Sequence, residues 1–267
     1  MKESIIERMR EPLLGKRIIF DGDSICHATS ETTQTEERGW AYRVGAAYGM
    51  EWYNLGISGA TATAEMYSSV NGAPRHWVSR NIDKIHERFE RVDYLIFEGG
   101  TNDADLLGIG SDRFGEIDPG DFSGNYDDST FTGALESLFY KATSYYPTAR
   151  LGYIVAPKMG RPKGGYGADY KRRHYFLRAI EVCRKWGVPY IDLWESSPIN
   201  PSLKCYFDPD LNTTENRDAG KAYIDGQHLT ALGYDMISVA IGEWVRACDF
   251  EIVIFLTNHP ETIDNLF

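Results

Sequence analysis

Residues able to do chemistry gather in four short stretches: Gly22–Asp23–Ser24, Ser58–Gly59, Gly100–Thr101–Asn102–Asp103 and Asp225–Gly226–Gln227–His228. They supply a hydroxyl, an imidazole, carboxylates and a side-chain amide. A serine hydroxyl is a weak nucleophile near neutral pH and gains strength from an adjacent base. Imidazole titrates near neutrality and serves most often in that role. Brought together, such groups could run nucleophilic acyl transfer. Taken singly, each stretch has a plainer reading. Asp23–Ser24 can cap a helix starting near Ile25, Ser58–Gly59 can be a turn, Asn102–Asp103 can form an Asx turn, and His228 can sit idle at a helix terminus. Asp21, Asp23, Asp103, Asp225 and His228 could also be assembled into a metal cluster, which would suit a metal-dependent phosphoesterase.

The elements that must position these groups are legible as alternation. Short apolar runs at Lys16–Asp21, Glu51–Leu55, Val92–Phe97, Arg150–Val155 and Val188–Leu193 are rich in β-branched or aromatic residues, and most end at Gly or Pro. Near-continuous apolar runs suit strands buried on both faces of a parallel sheet. Helical patterns lie at Gly39–Tyr48, Ala73–Glu90, Ser129–Tyr146, Asp169–Trp186 and Thr230–Ala247. In the last of these Leu232, Met236, Val239, Ile241 and Trp244 mark an apolar face and Thr230 is the expected N-cap. Such alternation predicts a three-layer α/β/α domain with a five-stranded parallel sheet. The four stretches then fall where ligands bind in open parallel sheets: three follow strands, and the fourth precedes the last helix.

FDGDSI (20–25), NLGISGAT (54–61), FEGGTNDA (97–104) and DGQHLTALGY (225–234), in this order, resemble the SGNH superfamily, also called GDSL lipases/acylhydrolases. The resemblance implies a flavodoxin-like fold and ester hydrolysis through an acyl-enzyme. It implies Ser24 as nucleophile, His228 as its base and Asp225 as the group that fixes the imidazole tautomer and stabilises the imidazolium. It implies Gly59, Asn102 and the backbone N–H of Ser24 as an oxyanion hole. No cofactor and no metal are implied. The lipase elbow G-x-S-x-G is absent, which argues against the ordinary α/β-hydrolase fold. The family spans carbohydrate acetylesterases, lysophospholipases, thioesterases and arylesterases. An acidic chain without an obvious membrane-surface helix leans toward a small acyl group on a polar molecule, such as an acetylated carbohydrate. A non-catalytic carbohydrate-binding protein on the same fold is the alternative from another class.

At 267 residues the chain is expected to form one domain over 1–267, with inserted connections around 103–128, 158–168 and 195–223. Tyr166, Tyr170, Trp194, Tyr206 and Phe207, in or beside those connections, could stack on sugar rings or acyl chains or simply pack. The first connection is acidic, with Asp105, Asp112, Glu116, Asp118, Asp121, Asp127 and Asp128 against a single Arg113. Lys and Arg total 28 against 39 Asp and Glu, a net charge of −11 that disfavours nucleic acid and anionic membrane surfaces as partners. The densest basic cluster, Lys171–Arg172–Arg173, is expected on a solvated helix face. Cys26, Cys183, Cys205 and Cys248 show no CxxC spacing and read as free thiols in a reducing compartment. Cys26 is expected to be a buried thiol, and His27, one turn from Ser24, to pack locally or to approach the site. Neither a secretory h-region nor a run of ~18–20 apolar residues is visible, so a cytoplasmic protein without a membrane span is expected. The apolar run Ile252–Leu256 near the end reads as an extra edge strand or a partner-binding segment.

Overall fold

The computed structural model describes residues 12–28, 38–67, 72–76, 78–160 and 170–248. Tyr166 and the Ile252–Leu256 run lie outside these described residues. Five strands form one parallel sheet: β1 (Arg17–Asp21), β2 (Glu51–Asn54), β5 (Tyr94–Glu98), β6 (Arg150–Val155) and β7 (Tyr190–Asp192). Their order is β2-β1-β5-β6-β7. The chain leaves β1 toward one side and later returns to pair β5 on its other side. That reversal is the switch point of flavodoxin-type sheets, where a crevice opens beyond the strand ends.

Parallel neighbours need crossover connections, and here these carry helices. Helix α2 (Gly39–Ala47) packs against the last helix, α9 (Ala231–Ala247), while α3 (Val78–Arg88), α5 (Phe131–Tyr145) and α6 (Tyr170–Trp186) form the other layer. The central strand β5 is buried at every position and β1 at all but its first, while the edge strands β2 and β7 are less buried. A buried ion pair, Lys185 with Glu136, joins α6 to α5.

Several expectations are corrected. Residues Pro74–Arg75 are not helical but form β4, paired antiparallel with β3 (Met66–Tyr67). Proline lacks an N–H for a helix interior, and the Arg75 carbonyl is taken by the buried hydroxyl of Thr61 at 2.9 Å. The connection expected from Asp103 begins as helix α4 (Thr101–Leu107), so Asn102 and Asp103 stand on a helix rather than in an Asx turn. Most of its acids that bond backbone do so in turns: Asp118, Asp121 and Asp127 accept the N–H groups of Gly120, Ser123 and Ser129. Arg113 is committed elsewhere, to the Ala64 and Ser129 carbonyls. On α9 the buried stripe runs through Tyr234, Ile237, Ile241 and Val245, while Leu232 and Val239 are exposed. Thr230 does cap α9, accepting the Gly233 N–H.

Candidate active site

Ser24 opens the short helix α1 (Ser24–His27) directly after β1. The capping reading of Asp23–Ser24 therefore holds alongside the chemical one: Asp23 Oδ1 accepts the Ile25 N–H at 2.8 Å, which sets the turn that presents Ser24. The Asp23 N–H in turn donates to Glu98 Oε2 at 3.2 Å, at the end of β5. Burial, and then the Asp23 carboxyl beside it, push Glu98 well above the ordinary carboxyl range, and burial pushes Asp23 up as well.

Across the crevice, Ser24 Oγ lies 3.0 Å from His228 Nε2. His228 Nδ1 lies 2.8 Å from Asp225 Oδ2. The other oxygen of Asp225 accepts the backbone N–H groups of Gln227 at 3.0 Å and His228 at 2.7 Å. This local Asx turn explains why Asp and His stand three residues apart: one carboxylate folds the loop and faces the ring at once. Burial pushes the Asp225 carboxyl up, but the His228 hydrogen bond and charge, with the two N–H groups, outweigh it and hold the group below its usual value. Gly226 makes the turn possible. Its φ is 79°, and a Cβ there would lie 2.3 Å from the Gly160 carbonyl oxygen. Gly160 N–H donates back to Gly226 O at 2.9 Å, so the loop is clamped from beneath.

Gly59 and Asn102 come to the same crevice. Ile57 N–H donates to Gly22 O at 2.8 Å, and Asn102 Nδ2 donates to Ala60 O at 2.8 Å, so both flanks of Gly59 are tied to the strand ends around Ser24. Gly59 has a φ of 76°, and its carbonyl accepts from Arg75 Nη1 at 3.3 Å. Asn102 Nδ2 also reaches Asp23 Oδ2 at a longer 3.4 Å. Asp103, fully buried behind Asn102, accepts Ala62 N–H at 3.1 Å, Thr63 N–H at 2.9 Å and the Thr63 hydroxyl at 2.5 Å. Burial pushes its carboxyl up to about 6, against the pull of those donors. A hydroxyl, imidazole and carboxylate in this chain can pass a proton from serine to histidine and hold the resulting imidazolium. The Asn102 amide, by contrast, gives its described contacts to the Ala60 carbonyl and to Asp23.

Other flagged residues serve elsewhere. Asp21 is fully buried and accepts from Asn81 Nδ2 at 2.7 Å; burial pushes it up to about 8. Cys26 is a buried thiol whose pKa burial raises well above the ordinary value, so it is not thiolate. His27 lines a groove of about 380 Å³ along β2 with Trp52, Tyr53 and Arg88, on the flank of β1 opposite to Asn102. Trp194 and Phe207 are buried packing residues, Tyr206 is partly buried against the core, and Tyr170 is exposed. None of the four cysteines is in a disulfide.

The sequence suggested no role for Glu98 or Gln227, and it misplaced Arg172. Arg172 is not on a solvated face: it is 1% exposed, and its Nη2 bonds Asp105 at 2.7 and 3.0 Å and Gln227 Oε1 at 2.9 Å. The signal was present, since Arg172, Tyr175, Phe176, Ala179, Ile180 and Cys183 share one helical stripe.

Residues 20–236 match the model of the GDSL-like Lipase/Acylhydrolase family. No curated protein matches the chain by sequence. Solved structures do. A carbohydrate acetylesterase family member from Sinorhizobium meliloti is 15% identical, with a TM-score of 0.59 over 87% of this chain and 98% of that one. The native M. smegmatis aryl esterase is 17% identical, with a TM-score of 0.55 over 88% and 100%. A structural-genomics protein from Lactobacillus plantarum is 22% identical, with a TM-score of 0.61 over 88% and 98%. At these identities the likeness is one of fold. Among the described residues no helix is long and apolar enough to cross a membrane.

Proposed function

Since the chain belongs to the GDSL-like lipase/acylhydrolase family, we propose that it hydrolyses esters through Ser24 as nucleophile, His228 as general base and acid, and Asp225 as the group that orients the ring. The protein is a serine ester hydrolase acting on small-molecule esters. The observation that supports the residue roles is the pair of contacts at 3.0 Å and 2.8 Å that joins residues 204 positions apart into one proton-transfer chain.

In the reaction, Ser24 Oγ attacks the ester carbonyl while His228 Nε2 takes its proton. Asp225 receives the hydrogen bond of the Nδ1–H and stabilises the imidazolium. The negative charge on the former carbonyl oxygen is met by the backbone N–H groups of Ser24 and Gly59 and by the Asn102 amide. In this step the Asn102 amide exchanges its longer contact to Asp23 for the oxyanion. His228 then protonates the departing alcohol. Water, deprotonated by the same ring, attacks the acyl-Ser24 ester and frees the acid.

A small acyl group on a polar alcohol, such as an acetylated carbohydrate, is the substrate class we favour. The acidic chain supports it, as does the shared fold with a carbohydrate acetylesterase family member. Four cysteines outside disulfides suit the reducing cytoplasm. Ser24→Ala is expected to abolish turnover with the fold intact, and an organophosphonate is expected to label Ser24. A folded Ser24→Ala protein with wild-type turnover would refute the assignment. Acetylated sugars assayed beside p-nitrophenyl esters of rising chain length test the substrate class.

A further inference from the structure

Arg172 is a permanent cation buried where an apolar side chain would pack at lower desolvation cost. Removing a guanidinium from water costs several kcal/mol, and only well-placed partners offset it. Both partners here flank the reacting groups. Asp105 lies on α4, one helical turn beyond Asn102, and receives Nη2 on both carboxylate oxygens at 2.7 and 3.0 Å. Gln227 directly precedes His228, is 2% exposed, and presents Oε1 to the same nitrogen at 2.9 Å. Its backbone N–H meanwhile donates to Asp225 Oδ1 at 3.0 Å. One guanidinium nitrogen thus joins the helix that bears Asn102 to the loop that bears Asp225 and His228. The two elements are more than a hundred residues apart in sequence, and among the described residues no strand pairing connects them.

We infer that Arg172 is a positioning residue, which through Asp105 and Gln227 sets the Asp225–His228 loop relative to Ser24 and Asn102. It touches no reacting atom. Its effect on rate comes from geometry, because near-attack alignment is sensitive to displacements on the ångström scale. The inference rests on the proposed roles of Ser24, Asp225 and His228.

The variants Arg172→Met, Arg172→Lys and Gln227→Met, with the Arg172→Met/Gln227→Met double variant, probe it. Two readouts are followed: the rate of Ser24 labelling by an organophosphonate, and the low-field proton NMR resonance of the His228 Nδ1–H bonded to Asp225. Arg172→Met and Gln227→Met are each expected to slow labelling roughly 10–10²-fold and to shift or broaden that resonance. Arg172→Lys, which keeps the charge and part of the bonding, is expected to recover some of the rate. The double variant should be no slower than the worse single one, because both cut one connection. Folded variants that label at the wild-type rate with an unmoved resonance would overturn the inference. If Arg172→Met does not fold, Gln227→Met and Asp105→Asn decide the matter by the same readouts. Failure of the underlying roles would look different: the wild type itself would leave Ser24 unlabelled, while the resonance would still report whether Arg172 holds the loop.

Discussion

Replacing Asp21 by Asn should change how stability responds to pH, in a direction the structure dictates. Asp21 is fully buried at the end of β1, accepts one hydrogen bond from Asn81, and among the described residues gives Oδ2 no partner. Burial raises its carboxyl from 3.8 to about 8. The folded state therefore binds this proton more tightly than the unfolded chain. Its contribution is full below the unfolded value and is lost as pH rises through the folded one, at about 1.4 kcal/mol per pH unit. An asparagine never ionises, and its Oδ1 can still accept from Asn81. At about pH 4 the two proteins should agree within about 1 kcal/mol. Between about pH 5 and pH 7 the variant should gain about 3 kcal/mol on the wild type, or roughly 5–11 °C in Tm. Above about pH 8 the gap should stop growing. Urea unfolding of both proteins across that range, with m compared at each pH, measures the difference free of other titrating groups. A gap that stayed constant with pH, or that favoured the wild type as pH rose, would refute a neutral buried Asp21.

Further outcomes are expected at the site and its supports. Asn102→Ala removes a donor to charge that develops in the transition state, so kcat should fall roughly 10²–10³-fold with little change in KM; steady-state kinetics on an acetyl ester checks it, and a large KM effect at constant kcat would contradict the role. Gly226→Ala would force a Cβ to within 2.3 Å of the Gly160 oxygen at a φ of 79°. It should cost about 1–3 kcal/mol of stability and lower turnover, read by thermal melts and activity together. An impermeant thiol reagent should modify exposed Cys205 in the native protein and leave buried Cys26 untouched until unfolding, as peptide mapping would show.

Local signals in the sequence were enough for the frame. The central strands β1 and β5 are mostly apolar and buried, because a strand covered by helices on both faces is apolar along most of its length. The four stretches around Ser24, Gly59, Asn102 and His228 were legible because strand ends and helix starts concentrate the polar atoms of a parallel sheet. The Asp225–His228 contact was nearly local, being folded by an Asx turn within three residues. What sequence could not set was the contact between residues far apart. Pro74–Arg75 became a strand because Met66–Tyr67 lay opposite, and Arg75 met Gly59 only through that pairing. Glu98 beneath Asp23, Asp103 behind the Gly59 segment, and Arg172 between Asp105 and Gln227 are ionisable groups that local rules place in water. Their burial is decided by partners that only the folded chain brings within hydrogen-bond distance, since desolvating a charge is tolerable only where such partners already wait.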